Sequence, residues 1–362
     1  MSKSAQKNQD AKKILFVGTT EGPSTALYYF TNLIKLGHSV YPYNPDFYAS
    51  HTLREKITFK ITKNPLRKRV EKVHQDLIAL CRDNAFDILF VMAENFLEAQ
   101  TLEEIRRNAR KPILFIYHSH DNNFSPGILK PAGFEKTLLA YDYLFTTKSQ
   151  NVARYENLGH TKSFFLPSAY EPTIHHPIAR AESAYPSQDF EITFVGTYDN
   201  SRDTYLEAVG WHRLDVWGSR WNEFKQFQKH RERIHPKAIY YLEYSDVLTK
   251  SKIALGLLRD EAGDLHTQRT FEIPACSVLQ IAPRNEEVQS FFKENREIIL
   301  FEGKDELREK CDYYLKHPEK AKLIAKKGFE RCLADGHSYA DRLQQMFATI
   351  YARQLKLVSK KR

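Results

Sequence analysis

The chain has 362 residues, 42% of them hydrophobic, and 54 basic against 45 acidic side chains give it a net charge of +9. That length exceeds what one hydrophobic core usually serves, which predicts two domains. Its longest apolar runs, such as ILFV near the start and PILFIY at 112–117, are of strand length and fall far short of the ~20 residues that span a bilayer, so no transmembrane helix is expected.

The opening MSKSAQKNQDAKK is polar and basic with no apolar stretch, and residues 1–12 read as a flexible tail rather than a signal peptide. Strand-like and helical patterns then alternate: KILFVG (13–18), a helix from about Ser24 to Leu36, SVYPYN (39–44), a long amphipathic helix around 65–82, DILFVM (87–92), a helix near 97–108, PILFIYH (112–118) and YLFTT (143–147). Continuous apolar strands separated by helices predict a parallel sheet covered on both faces, a Rossmann-like domain over 13–172. The stretch 173–188 is interrupted by Pro177 and Pro186, follows Pro172 and has no period, so it reads as a linker.

A second alternation occupies 189–336. Its strands are FEITFVG (190–196), RLDVWGS (213–219), SKIALGLL (251–258), SVLQIAP (277–283) and EIILFE (297–302), with a helix after Arg202 and further helices at 304–316 and 318–332. A last helix is expected at 338–357, within a closing segment 337–362 that ends in the basic LKLVSKKR. The fold class this predicts is α/β, two doubly wound domains facing a cleft.

Cys81, Cys276, Cys311 and Cys332 lie far apart with no CxxC pair, which points to reduced thiols in a cytoplasmic protein. The positive charge favours anionic partners, a criterion that nucleic acid, acidic membrane and nucleotide all meet.

Three strand-end loops carry candidate chemistry, because ligands of such folds bind at the carboxyl ends of the strands. In VGTTEGPST, Gly18 and Gly22 permit a tight turn, and Ser24 or Thr25 can cap the next helix; the loop reads either as a ligand loop or as a plain turn. In IYHSHDNN, His118, His120 and Asp121 follow a buried strand. Their spacing converges poorly on a metal and no third ligand accompanies them, so acid–base or hydrogen-bonding work is the functional reading and a satisfied structural histidine the alternative.

The third loop is DLHTQRTFEIPACS. Proline is tolerated in a helix's first turn, so Pro274 predicts a helix starting near Thr270. That start would leave the N–H groups of Thr270, Phe271 and Glu272 open beside Arg269, an arrangement that holds phosphate, while Glu272 can accept from a ribose diol. No DxD occurs in the chain, so no metal is expected and arginine must meet any phosphate charge.

YDYLFTTKSQNVARYENLGHTKSFFLPSAYEPTIHHP, FEITFVGTYDNSRDTYLEAV, YYLEYSDVLTKSKIALGLL, QRTFEIPACSVLQIAPRNEEVQSFF and LREKCDYYLKHPEKAKLIAKKGFERCLADGHSY occur in that order. Together they resemble the spore maturation protein CgeB-like family of glycosyltransferases over most of 140–340, a family similar to glycosyltransferase family 4 with its GT-B fold. The resemblance implies a sugar transferred from a nucleotide-diphosphate donor, retention of configuration, no metal, and a final helix crossing back to the first domain through Leu343, Phe347, Ile350, Tyr351 and Leu355.

It places Glu272 on the donor ribose, Arg269 and Arg202 at the phosphates and His118 near the reacting sugar. Asp264 stands where the broader group has a glutamate, and Thr197 where it has a glycine. The expected site is thus His118 and Arg269 as catalytic residues, with Gly18, Arg202, Gly218, Tyr244, Asp264, Thr270 and Glu272 around the donor. His120 and Asp121 fall on the acceptor side. The donor base is expected beyond RLDVWG, near Tyr240 to Tyr244. The default donor is a UDP-sugar and no further cofactor is expected. The acceptor is a glycan, protein or small molecule, with weak contact to the acidic inner face of a membrane through the basic tail. The alternative is a non-catalytic, polyanion-binding protein that keeps the fold, although nucleic acid is not the expected partner.

Overall fold

The computed structural model describes residues 11–45, 67–126, 128–179, 182, 189–259 and 263–359, with side chains to residue 353. Residues 1–10 of the tail expected at 1–12, linker residues 180, 181 and 183–188, and the side chains of Leu355 and the basic tail lie outside these. The chain divides into two compact units, Met1–Pro167 with Arg342–Arg362, and Ser168–Asp341.

The first unit is built on β1 (Lys13–Val17), β2 (Ser39–Tyr43), β3 (Ile88–Met92), β4 (Leu114–Ser119), β5 (Tyr143–Thr146) and β6 (Ser163–Phe165). They form one sheet in the order β2-β1-β3-β4-β5-β6, every pairing parallel. The β3 residues are buried without alternation, as both faces of a parallel sheet are covered. Pro42 is tolerated because β2 is an edge strand paired only with β1. Helix Thr25–Lys35 starts where the Ser24 side chain accepts from the Leu27 N–H, 3.1 Å away. Leu15, Val17, Leu77, Leu89, Phe115 and Leu144 are among the residues of its core.

The second unit repeats the plan with β7 (Phe190–Val195), β8 (Leu214–Trp217), β9 (Ile234–His235), β10 (Ser251–Leu255), β11 (Leu279–Pro283) and β12 (Ile299–Phe301). Its order is β12-β11-β10-β7-β8-β9, again parallel throughout. The chain reverses its direction across the sheet between β7 and β10, which makes their carboxyl ends the switch point where doubly wound sheets receive ligands.

Helix Tyr339–Ser359 closes the chain, and from Arg342 onward it belongs to the first unit. Leu343, Met346, Phe347 and Ile350 are buried at helical spacing, and the Phe347 ring lies 5.1 Å from His38. No helix among the described residues is long and apolar enough to cross a membrane.

The linker expected at 173–188 needs correction over its described residues. The unit boundary falls at Pro167/Ser168, and Ser168–Ile178 is fastened into the second unit. The Ser168 N–H donates to His266 Nε2 at 3.0 Å, Tyr170 bridges Ser338, Ser245 Oγ donates to the Ile174 carbonyl at 2.7 Å, and the Ile178 N–H donates to Thr249 Oγ1 at 3.2 Å. Non-local hydrogen bonds hold this stretch where periodicity is absent, so sequence pattern could not show its order.

Candidate functional site

At the carboxyl end of β7 the chain passes through Gly196 and, at the end of β8, through Gly218. A Cβ on Gly218 would sit 2.0 Å from the Gly196 carbonyl oxygen, and Gly218 has φ +149°, so both strand ends meet at a separation only glycine allows. Arg202 crosses the switch point itself. Its Nη1 donates to the Thr197 carbonyl after β7 at 2.8 Å, and its Nε to the Leu258 carbonyl after β10 at 3.1 Å. It is 2% exposed, so its guanidinium fastens the two loops together.

Arg269 lies beside it, half-buried, with Nη1 3.3 Å from the Val195 carbonyl and a buried Nε that has no hydrogen-bond partner among the described residues. Both guanidinium groups cover the Phe194 ring, with their carbons 5.0 and 5.7 Å from its centre. Arg259, in the loop that follows β10, stands 3.6 Å from the buried Asp264 carboxylate. The Arg202 pKa falls to about 10, first through burial and then through repulsion from Arg269 and Arg259, with Asp199 and Asp264 opposing. Three arginines thus gather at the carboxyl ends of β7 and β10, with Asp199 and Asp264 as the opposing carboxylates.

Helix Arg269–Ala275 differs from expectation in a way that matters. Gln268 is already helical at φ −54° and ψ −39°, and the Thr267 and Gln268 carbonyls take the N–H groups of Thr270, Phe271 and Glu272 at 3.1, 2.9 and 2.9 Å. The open helix N-terminus expected there is absent, because the turn before it supplies the acceptors; Arg269 offers its side chain alone. Pro274 sits one residue from the helix end rather than in the first turn, and Ser277 then turns away at φ +58°.

Glu272 is 13% exposed, with each carboxylate oxygen facing a different group. Tyr244 Oη, on helix Tyr241–Thr249, donates to Oε2 at 3.0 Å, and His175 Nε2 stands 3.5 Å from Oε1. The Tyr244 pKa is raised well above the phenol range, chiefly by burial and then by Glu272. That of His175 is lowered by burial against the opposing pull of Glu272.

In the first unit, Gly18 directly follows β1, its N–H donating to the Tyr43 carbonyl at 3.1 Å. A Cβ there would meet Met92 Cβ at 3.0 Å. His118 was expected at an exposed strand end, but β4 runs one residue further, and His118 is paired between Met92 and Phe145 and 0% exposed. Its Nε2 is 3.2 Å from Tyr29 Oη, and its Nδ1 has no partner among the described residues. Burial, with a smaller contribution from His120, pushes its pKa down to about 3, so it is neutral at physiological pH.

His120 and Asp121 form a partly exposed pair 3.6 Å apart. Among the described residues no cluster of three His, Cys, Asp or Glu side chains could hold a metal.

Sequence reading missed four residues at these edges. Arg259 is a basic residue just past a strand end and was legible as such; Gly196 lay in the strand motif itself. His175 had no signal in an aperiodic stretch. Glu94 follows Ala93, which is in the left-handed region at φ +56°, and burial pushes its carboxyl up to about 8.

Residues 202–348 match a family model described as glycosyl transferase-like, a span that starts at Arg202 and contains Arg259, Asp264, Arg269 and Glu272. No curated protein matches the chain by sequence. Among solved structures, sucrose-phosphate synthase from Thermosynechococcus elongatus is similar at TM-score 0.68 and 14% identity, over 94% of this chain and 100% of that one. HepE of Anabaena, solved with UDP and glucose, is similar at 0.62 and 11%, again over 94% and 100%. A Listeria monocytogenes structure described as a putative UDP-N-acetylglucosamine 2-epimerase is similar at 0.59 and 12%, over 96% and 97%. These likenesses define the fold as GT-B.

Proposed function

We propose that the protein is a glycosyltransferase that takes a sugar from a nucleoside-diphosphate donor, a UDP-sugar in the first instance, to a glycan, protein or small-molecule acceptor. The observation that carries this reading is the gathering of Arg202, Arg259 and Arg269 at the β7/β10 switch point, inside the glycosyltransferase-like span. In this reading the diphosphate lies against the Arg269 and Arg259 guanidiniums, Arg202 holds the loops that present them, and Glu272 accepts from the ribose.

As the bond from the anomeric carbon to the β-phosphate oxygen breaks, its electron pair goes to that oxygen. A fixed guanidinium stabilises the growing charge more than it does the ground state. Arginine supplies this charge without a metal ion, and turnover unchanged by EDTA is the expected result. The resemblance to family 4 carries the expectation of retention, which the anomer of the product, read by NMR, decides.

A thermal-shift panel of UDP, GDP, ADP, TDP and CMP tests the donor reading. One nucleoside diphosphate is expected to raise the melting temperature, through mass action worth about 2.7 kcal/mol at a hundredfold excess over Kd. No shift with any of them, together with polyanion binding that collapses steeply with salt, would favour the non-catalytic, charge-driven reading. The Listeria likeness motivates a check of the chemistry: epimerised donor without transfer would replace the transferase reading with an epimerase one.

A further inference from the structure

We infer that His175 is a positioning residue that donates from Nε2 to Glu272 and, with Tyr244, fixes that carboxylate for its ligand; this rests on the reading in which Glu272 holds the donor ribose. The His175 tautomer follows from its neighbours. The backbone N–H of Glu171 is 2.9 Å from His175 Nδ1, and a backbone N–H can only donate, so Nδ1 carries no proton. In the neutral ring the proton must then sit on Nε2, the atom that faces Glu272 Oε1 at 3.5 Å, an electrostatic contact a few tenths of an ångström longer than an ordinary hydrogen bond, which the donor must close as the carboxylate takes its ligand.

The turn that carries the ring is braced. The His175 N–H returns to the Glu171 carbonyl at 2.7 Å, Thr173 Oγ1 donates to Glu171 Oε1 at 2.7 Å, and Ser245 Oγ holds the Ile174 carbonyl. The His175 side chain is 2% exposed and stands edge-on to Tyr244, with ring centres 5.7 Å apart, so it is placed to orient Glu272 and not to touch a ligand. Donors from two separate elements, the Glu171–His175 turn and helix Tyr241–Thr249, thus address the two oxygens of one carboxylate. This sets its plane and leaves its remaining lone pairs for a diol, as supporting hydrogen bonds orient ligating groups elsewhere.

Two near-isosteric variants separate the roles of the ring nitrogens. In His175→Asn the side-chain oxygen can still accept from the Glu171 N–H but nothing donates to Glu272; in His175→Gln the terminal amide can donate to Glu272 but the Glu171 N–H loses its acceptor. UDP binding to the full chain would be measured by titration calorimetry alongside the melting temperature. His175→Asn is expected to weaken UDP about tenfold, the size of one hydrogen bond to a charged group, with little change in melting temperature. His175→Gln should stay near the parent in affinity while melting lower. In a Glu272→Gln background, His175→Asn should cost nothing further, because the group it orients is gone.

Parental affinity in His175→Asn, or losses that add in the double variant, would overturn the inference. So would affinity losses in both variants that merely track their melting temperatures. If the parent binds UDP but Glu272→Gln binds it equally well, the ribose role of Glu272 fails and the positioning role with it. If the parent binds none of UDP, GDP or ADP, it is the donor reading itself that has failed.

Discussion

Arg202 and Arg269 lie over the same Phe194 ring, yet one is enclosed and bonded to two carbonyls while the other is half-buried, its Nε without a partner among the described residues. The difference predicts opposite phenotypes. Arg202→Ala strands the Thr197 and Leu258 carbonyls and empties a buried volume, so it should cost about 2–4 kcal/mol of stability and lower the melting temperature by several degrees. Arg269→Ala should melt close to the parent but turn over about 100-fold more slowly at saturating donor, the usual loss on removing a fixed group that stabilises developing charge. Equal melting losses, or normal turnover in Arg269→Ala, would show that the two arginines are a single structural cluster.

Gly218 and Gly196 should fail for different reasons. Gly218→Ala drives a Cβ to 2.0 Å from the Gly196 carbonyl oxygen at a φ that L residues rarely adopt, and is expected to express poorly or melt far below the parent. In Gly196→Ala the new Cβ meets Phe194 Cζ at 2.9 Å and Arg269 Nη1 at 3.3 Å, so the platform under the arginine must shift. This variant should lose UDP affinity beyond what its melting temperature accounts for. UDP affinity that follows stability alone would remove Gly196 from the site.

All four cysteines are buried, and burial pushes the thiols of Cys81, Cys276 and Cys311 up to about 12. Native protein should therefore react with Ellman's reagent only as fast as it opens, and stoichiometric release should need denaturant. A fast native phase would mark a thiol more accessible than this.

The strands were legible because parallel sheets demand unbroken apolar runs: Ile88–Met92, Phe190–Val195 and Leu279–Pro283 each fall inside a stretch read from sequence. Elements that escaped are short or bear polar residues, such as Ser163–Phe165 and the two-residue Ile234–His235, whose pairing is decided by neighbours rather than by their own pattern. Arg269 and Glu272 could be singled out because they flank a helix start after a polar loop. The closed state of that helix start could not, because it depends on the backbone of Thr267 and Gln268 already being helical. The burial of His118 was likewise hidden, since it turns on whether β4 ends before or after one residue.

His118 gives the clearest pH prediction. The ring is wholly buried, with Tyr29 Oη on one side and His120 contributing charge nearby, while Arg342 acts on Tyr29. Its folded-state pKa of about 3 lies below the ~6.5 of an unfolded histidine, so between those values the unfolded chain binds the proton and the folded one does not. The stability this contributes is complete above pH 6.5 and is lost as pH falls toward 3; His160, also lowered by burial, acts in the same direction within the same unit. The urea midpoint should therefore drop steadily below pH 6.5. His118→Gln, which keeps a group able to meet the Tyr29 hydroxyl but does not titrate, should flatten that slope while changing neutral-pH stability by only about 1 kcal/mol. Being neutral and enclosed, His118 should also leave no ionisation near pH 6.5 in kcat, so the pH–rate profiles of the parent and His118→Gln should have the same shape. An acid limb near pH 6.5 that disappears in His118→Gln would mean the ring exchanges protons during turnover, and the buried, neutral state would not be the working one.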